Sequence, residues 1–272
     1  MEPAIRGLMV AFGDGLRWSF VMGGLGRDLL DEGSGPSRQL GYAATARLVR
    51  EWLTAAEVAE APLDPLVWFE SPLRSTFPAS MAVKAASEQA SDGGYRYLRR
   101  LREGILCERR RLDHAEPLVE EARAAGLDVE RFRIDLRSHG ITEAFAADLD
   151  ATAALAEEEP AGGDVHGSRT ASGAVLPTLV ISNEAGERRV LVGLRSLAEC
   201  RAAAEELGAE SSGDRAPTPE ALIERFGRVT TQEVVEVCEL PGPRAAAELW
   251  RLAGEWKIRV RRCLTGELWE KA

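Results

Sequence analysis

"GAVLPTLVIS" (residues 173–182) sets a proline at the mouth of a strand that otherwise reads as continuous core. Proline has no N–H to give to a ladder, so it is confined to strand ends, edges and bulges. Behind it, Thr178, Leu179, Val180 and Ile181 form the short apolar run that buried strands use. "NEAG" (183–186) then turns the chain and "ERRVLVGL" (187–194) runs back, which predicts a β-hairpin with a four-residue loop. A helix follows, with Ser196 as N-cap, "LAECRAAAEEL" (197–207) as body and Gly208 as stop. The local order is proline, strand, turn, strand, helix.

Towards the N-terminus, "EPAIRGLMVAF" (2–12) predicts a helix, with Pro3 in its first turn and Ile5, Leu8, Met9 and Phe12 on one stripe. "GDG" (13–15) ends it, and "LRWSFVMGG" (16–24) alternates before turning apolar, which predicts a strand. "GGLG" (23–26) lacks both the G-x-G-x-x-G spacing and a Walker lysine, so it reads as a plain turn.

Residues 37–156 are almost wholly helical in pattern. The predicted helices are "TARLVREWLTAAEVAEA" (45–61), the alanine-faced "PASMAVKAASEQA" (78–90), "YRYLRRLREGILCERRR" (95–111) and "HAEPLVEEARAAGLD" (114–128). "DGG" (92–94) is read as a turn, and two more helices open with Asp128 and Thr142 as N-caps. The arginines at 99, 100, 102, 109, 110 and 111 could form an anion site; a solvated face paired with the neighbouring acidic helices is the favoured reading.

Two polar stretches divide the remainder, "PAGGDVHGSRTASG" (160–173) and "GAESSGDRAPTP" (208–219), the second being the stronger boundary. Beyond it come a short helix (219–227), a segment readable as helix or strand (229–240), a helix (242–256) and the basic strand "KIRVRRCL" (257–264). Together they predict a compact, winged-helix-like appendage. Arg259, Arg261 and Arg262 are too few for nucleic acid, so packing or partner contact is expected of that strand.

Composition narrows the classes. The 272 residues are 45% hydrophobic and 29% charged, enough to build a core. A net charge of −10 argues against a phosphate-backbone binder, so no nucleic-acid partner is expected. "MEPAIRGLMVAF" has no basic region leading into a long apolar run, and no stretch approaches a membrane span. A cytoplasmic protein without membrane contact is the expectation. The four cysteines, Cys107, Cys200, Cys238 and Cys263, are far apart with no C-x-x-C, and read as buried, reduced thiols. Cys107 and His114 stand seven residues apart, outside zinc-ligand spacing; no metal and no cofactor is implied.

The sequence order of helix, strand, helical block, proline, hairpin and helix resembles the thioredoxin fold of the DsbA-like family, with its helical insertion. In that family a cis-proline precedes the third core strand and faces the active site. "VLPTLVIS" (175–182) resembles that element, with Pro177 as the cis-proline. "RWSFVMGGL" (17–25) resembles the second strand, and residues 78–112 resemble the inserted helices of cytosolic members. The resemblance implies an α/β protein: a thioredoxin-like core formed by 1–36 and 173–208, lacking its first strand, a helical insertion with linker at 37–172, and a small C-terminal appendage at 209–272. It also implies a groove in which an extended protein or peptide client lies against Leu176, Pro177 and Thr178. By itself a proline at a strand start is equally an edge device.

One departure is large. The family's C-x-x-C opens the first helix, where dipole and free N–H groups activate the thiolate. Here that helix opens with Met1-Glu2-Pro3, and no cysteine precedes Cys107, so no catalytic residue is assigned. Two expectations follow. Either Met1 is an internal methionine of a longer thiol-disulfide oxidoreductase, or the protein is a redox-inactive relative that keeps the groove as a binding or adaptor site.

Overall fold

The computed structural model describes residues 1–29, 41–159, 166–213 and 215–272. The predicted boundary at 36/37, residues 160–165 of the first linker and Asp214 of the second lie outside the described residues. Helix α1 (Glu2–Phe12) carries Pro3 in its first turn, where a missing N–H costs nothing. Its Ala4, Leu8, Ala11 and Phe12 are buried against Ile181 and against Cys200, Ala203 and Ala204 of a second helix. That helix starts where a full capping box forms: the Ser196 hydroxyl accepts from the Glu199 N–H, and the Glu199 carboxylate accepts from the Ser196 N–H.

The predicted hairpin is present as two antiparallel strands, Thr178–Ser182 and Arg188–Val192, in register from Thr178↔Val192 to Ser182↔Arg188. The connection runs from 183 to 187, one residue longer than predicted, because Asn183 closes it by exchanging main-chain and side-chain bonds with Glu187. Just before it, Ser168–Arg169, inside the stretch predicted to be linker, pairs antiparallel with Val175–Leu176, which lies beyond that stretch. In chain order these strands are β1 (Ser168–Arg169), β2 (Val175–Leu176), β3 (Thr178–Ser182) and β4 (Arg188–Val192).

The strand predicted at 16–24 is corrected. Among the described residues this segment pairs with no strand, and β3 and β4 form a two-stranded sheet. The alternation is nonetheless real. Leu16 and Trp18 pack on the α1 core, and Phe20 and Met22 pack on the helical block. Side chains take the place of a ladder: the Met22 N–H donates to Asp148 at 2.8 Å and the Gly26 N–H donates to Thr76 at 3.0 Å.

The helical block comprises α2 (Tyr42–Ala59), α3 (Val67–Glu70), α4 (Phe77–Ser87), α5 (Gly93–Leu106), α6 (Ala115–Ala124), α7 (Val129–Asp135) and α8 (His139–Glu158). The alanine face of α4 packs directly on α5, and Tyr97, Leu101, Leu118 and Phe132 fill the centre. Gly93 and Gly94, predicted as a turn, open α5 instead. A Cβ on Gly93 would stand 2.6 Å from the Ala86 carbonyl oxygen, so the residue permits that close entry. Asp128 caps α7 as predicted, whereas α8 is capped by Ser138 rather than Thr142.

After α9 (Leu197–Glu206) come α10 (Pro219–Phe226), β5 (Arg228–Thr230), α11 (Thr231–Val237), α12 (Gly242–Gly254), β6 (Ile258–Arg262) and β7 (Glu267–Lys271). The antiparallel sheet order is β5-β7-β6. The ambiguous segment 229–240 begins at the end of β5 and continues as a helix, divided at Thr230, which forms a capping box with Glu233. This C-terminal unit packs α11 on α1. Arg6, 1% exposed, reaches across to the fully buried Glu233 at 2.7 Å. Arg99 also pairs with Glu233, so it belongs to a buried cluster and not to the solvated face predicted for it.

Candidate functional site

Leu176, Pro177 and Thr178 form a bend between two short ladders. Leu176 ends the β1–β2 pairing opposite Ser168, and Thr178 begins the β3–β4 pairing opposite Val192. The Leu176–Pro177 peptide bond is cis. The Pro177 carbonyl accepts from the Gly193 N–H at 2.8 Å, and the Thr178 hydroxyl donates to the Val175 carbonyl at 2.6 Å. The Leu176 side chain lies over Gly23; a Cβ there would meet it at 2.6 Å. The sequence-predicted trio is therefore brought together and fixed on both sides, with each residue half-exposed. Along β3, Ile181 turns into the α1 core while Val180 is 45% exposed. The β3 edge away from β4 has no strand partner among the described residues.

Such an edge can take an extended backbone, with N–H and C=O groups meeting those of a peptide and side chains alternating to either face. It offers little for covalent chemistry. Cys200 is sealed inside α9, and burial pushes its thiol up to about 11. Burial likewise raises Cys238 to about 12. Cys107 and Cys263 are only half-buried, which corrects the expectation of four buried thiols.

A second feature, invisible to sequence reasoning, is a cavity of about 1250 Å³ between α1, α5 and the C-terminal unit, lined by Arg6, Arg99, Arg228, Tyr95 and Phe226 among others. Three of its cations, Arg6, Arg99 and Arg228, are held by carboxylates. Arg228 pairs with Glu103, Glu108 and Glu270 at 3.1, 2.8 and 2.6 Å. Behind Tyr95, whose hydroxyl donates to Glu2 at 2.8 Å, burial raises the Glu2 carboxyl, but Arg102, Arg99, Arg6 and that hydroxyl outweigh it and hold it at about 2. The site is an ion-pair lattice joining distant segments. Nothing local in the sequence marks it, since its partners lie up to 227 residues apart.

Residues 1–160 match the thioredoxin family. Among curated proteins, the ClpXP adapter protein SpxH of Halalkalibacterium halodurans is 33% identical over 152 residues, covering 56% of this chain and 48% of that protein. The chain thus spans about half the length of that relative. SpxH of Bacillus subtilis is 28% identical over 228 residues, covering 82% of this chain and 71% of that protein. Among solved structures, a candidate protein disulfide isomerase from Nitrosomonas europaea aligns at a TM-score of 0.50 and 15% identity, over 64% of this chain and 77% of that one. That likeness concerns the fold alone. The match over residues 1–160, the thioredoxin-like arrangement and the bend at Pro177 lead to one statement: the chain belongs to the thioredoxin family.

Proposed function

We propose that this protein is a non-enzymatic adaptor that binds an extended segment of a client protein along β3, beside Leu176, Pro177 and Thr178. The observation carrying this reading is the bend itself: Leu176, Pro177 and Thr178 are held between two short ladders and reach the surface, with Val180 45% exposed beside them. Backbone pairing supplies affinity there, and the alternating faces supply selectivity. The similarity to proteins named ClpXP adapters supports delivery of the client to a protease, a role for a cytoplasmic protein that requires no thiol. In this reading the core (1–36 and 173–208) binds the client, while the insertion (37–172) and the appendage (209–272) frame it.

The test uses a phage-displayed random peptide library selected on the intact protein. Selected peptides bind the unaltered protein, and Leu176→Ala with Val180→Asp weakens them by about tenfold or more, roughly 1.4 kcal/mol, with circular dichroism unchanged. Affinity indifferent to both substitutions overturns the groove. Insulin reduction that disappears with the protein's cysteines would instead return the oxidoreductase reading.

A further inference from the structure

Two thiols outside the proposed groove meet each other, although 156 residues separate Cys107 from Cys263 in the sequence. The segment 61–64 is the platform that joins them. On one side, the Asp64 N–H donates to the Leu106 carbonyl at 2.6 Å, and the Cys107 thiol reaches the Pro62 carbonyl at 3.3 Å. On the other side lies the turn between β6 and β7. The Thr265 N–H donates to the Leu63 carbonyl at 3.1 Å, and the Leu63 N–H donates to the Thr265 hydroxyl at 2.8 Å. A Cβ on Gly266 would stand 3.4 Å from Pro62, and the Cys263 N–H closes the turn onto the Gly266 carbonyl at 2.8 Å. Within this clasp the Cys107 and Cys263 side chains come close enough for each to act on the other's ionisation. Both are half-exposed, while Cys200 and Cys238 are buried.

The pair is electronically unequal. The Cys107 S–H is engaged by the Pro62 carbonyl, and the neighbouring Cys263 sulfur together with burial raises the Cys107 thiol. Among the described residues the Cys263 thiol has no such carbonyl among its hydrogen bonds, and its neighbour lowers it against burial and the nearby Asp64, Glu108 and Glu267. Cys263 is therefore the sulfur assigned to meet an electrophile first.

We propose that Cys107 and Cys263 are an oxidation site for hydrogen peroxide, closing into a disulfide between the end of α5 and the β6–β7 turn. The Cys263 thiolate attacks one peroxide oxygen, the O–O bond breaks, and hydroxide leaves to become water on protonation. Cys263 is now a sulfenic acid. The Cys107 sulfur, its proton passing to solvent, attacks the Cys263 sulfur; the S–O bond breaks and a second water departs. Two thiols and one peroxide become one disulfide and two waters. The two sulfurs must close to about 2 Å, the length of the new S–S bond.

The experiment exposes the purified chain to hydrogen peroxide, quenches with N-ethylmaleimide, and counts thiols after denaturation. The count falls from four to two, and non-reducing peptide mapping recovers one cross-linked pair containing Cys107 and Cys263 in monomeric protein. Cys107→Ser forms no cross-link and instead gains oxygen at Cys263. The map of the unaltered protein decides the matter even if that variant fails to fold. Oxygen added to either cysteine without a cross-link, or a disulfide reaching Cys200, Cys238 or a second molecule, overturns the proposal.

Discussion

Arg6 illustrates what a single residue can hide. Two residues from both Ala4 and Leu8, it falls off the stripe of α1 that packs on α9 and would be read as a solvent-facing cation, yet it is buried between the Tyr95 hydroxyl, the Arg228 carbonyl and the Glu233 carboxylate. Its partner makes it tolerable in the interior; removing it leaves Glu233 as a buried charge with reduced compensation. Arg6→Met is therefore expected to lower stability by about 3–5 kcal/mol in urea denaturation, and an unmoved midpoint would refute the pairing. Glu2 gives this cluster a pH dependence. Its folded pKa of about 2 lies below the ordinary 4.5, so its contribution is fully present above pH 4.5 and is lost as pH falls towards 2. Unfolding free energy measured across that window should decline in the unaltered protein and decline less in Glu2→Gln. These residues were not legible because burial of a charge depends on a partner from another part of the chain.

At the scale of elements, the legible features were those whose determinants are local. Ser196 and Glu199 stand three apart, so the α9 capping box could be read directly, and Ser196→Ala should cost about 1 kcal/mol in thermal or chemical unfolding. The turn before β4 and the proline before β3 were local too. The segment 16–24 shows the opposite case: alternation reports which side chains point inward, but a strand also needs a neighbour, and neighbours are not written in a segment's own residues. The α4–α5 junction was misread for a related reason, since Gly93 serves a tight approach to Ala86 and not a free turn. Gly93→Ala sets a methyl against backbone that cannot swing away, and a loss of about 1–3 kcal/mol is expected from equilibrium unfolding. An unchanged stability would show that the two helices can separate slightly at no cost.

For the whole molecule, the polar stretch at 208–219 was visible as a break, while the tie across it was not. Arg228 lies beyond that break and binds Glu103 and Glu108 of the helical region as well as Glu270 of its own sheet. Arg6 and Glu233 bridge the same boundary from α1. The chain should accordingly unfold in one calorimetric transition, and Arg228→Ala should resolve it into two or broaden it; two separate transitions in the unaltered protein would contradict the coupling. The candidate groove was legible as three residues, but its exposed β3 edge became visible only with the strand order.

The position of β7 has a mechanical consequence. It lies in the middle of its sheet, with β5 on one flank and β6 on the other. A pull on the chain beyond Lys271, along the strand, loads both ladders in shear at once instead of peeling one bond at a time. Resistance to such a load is greatest at the outset, because the bonds of both ladders must give together.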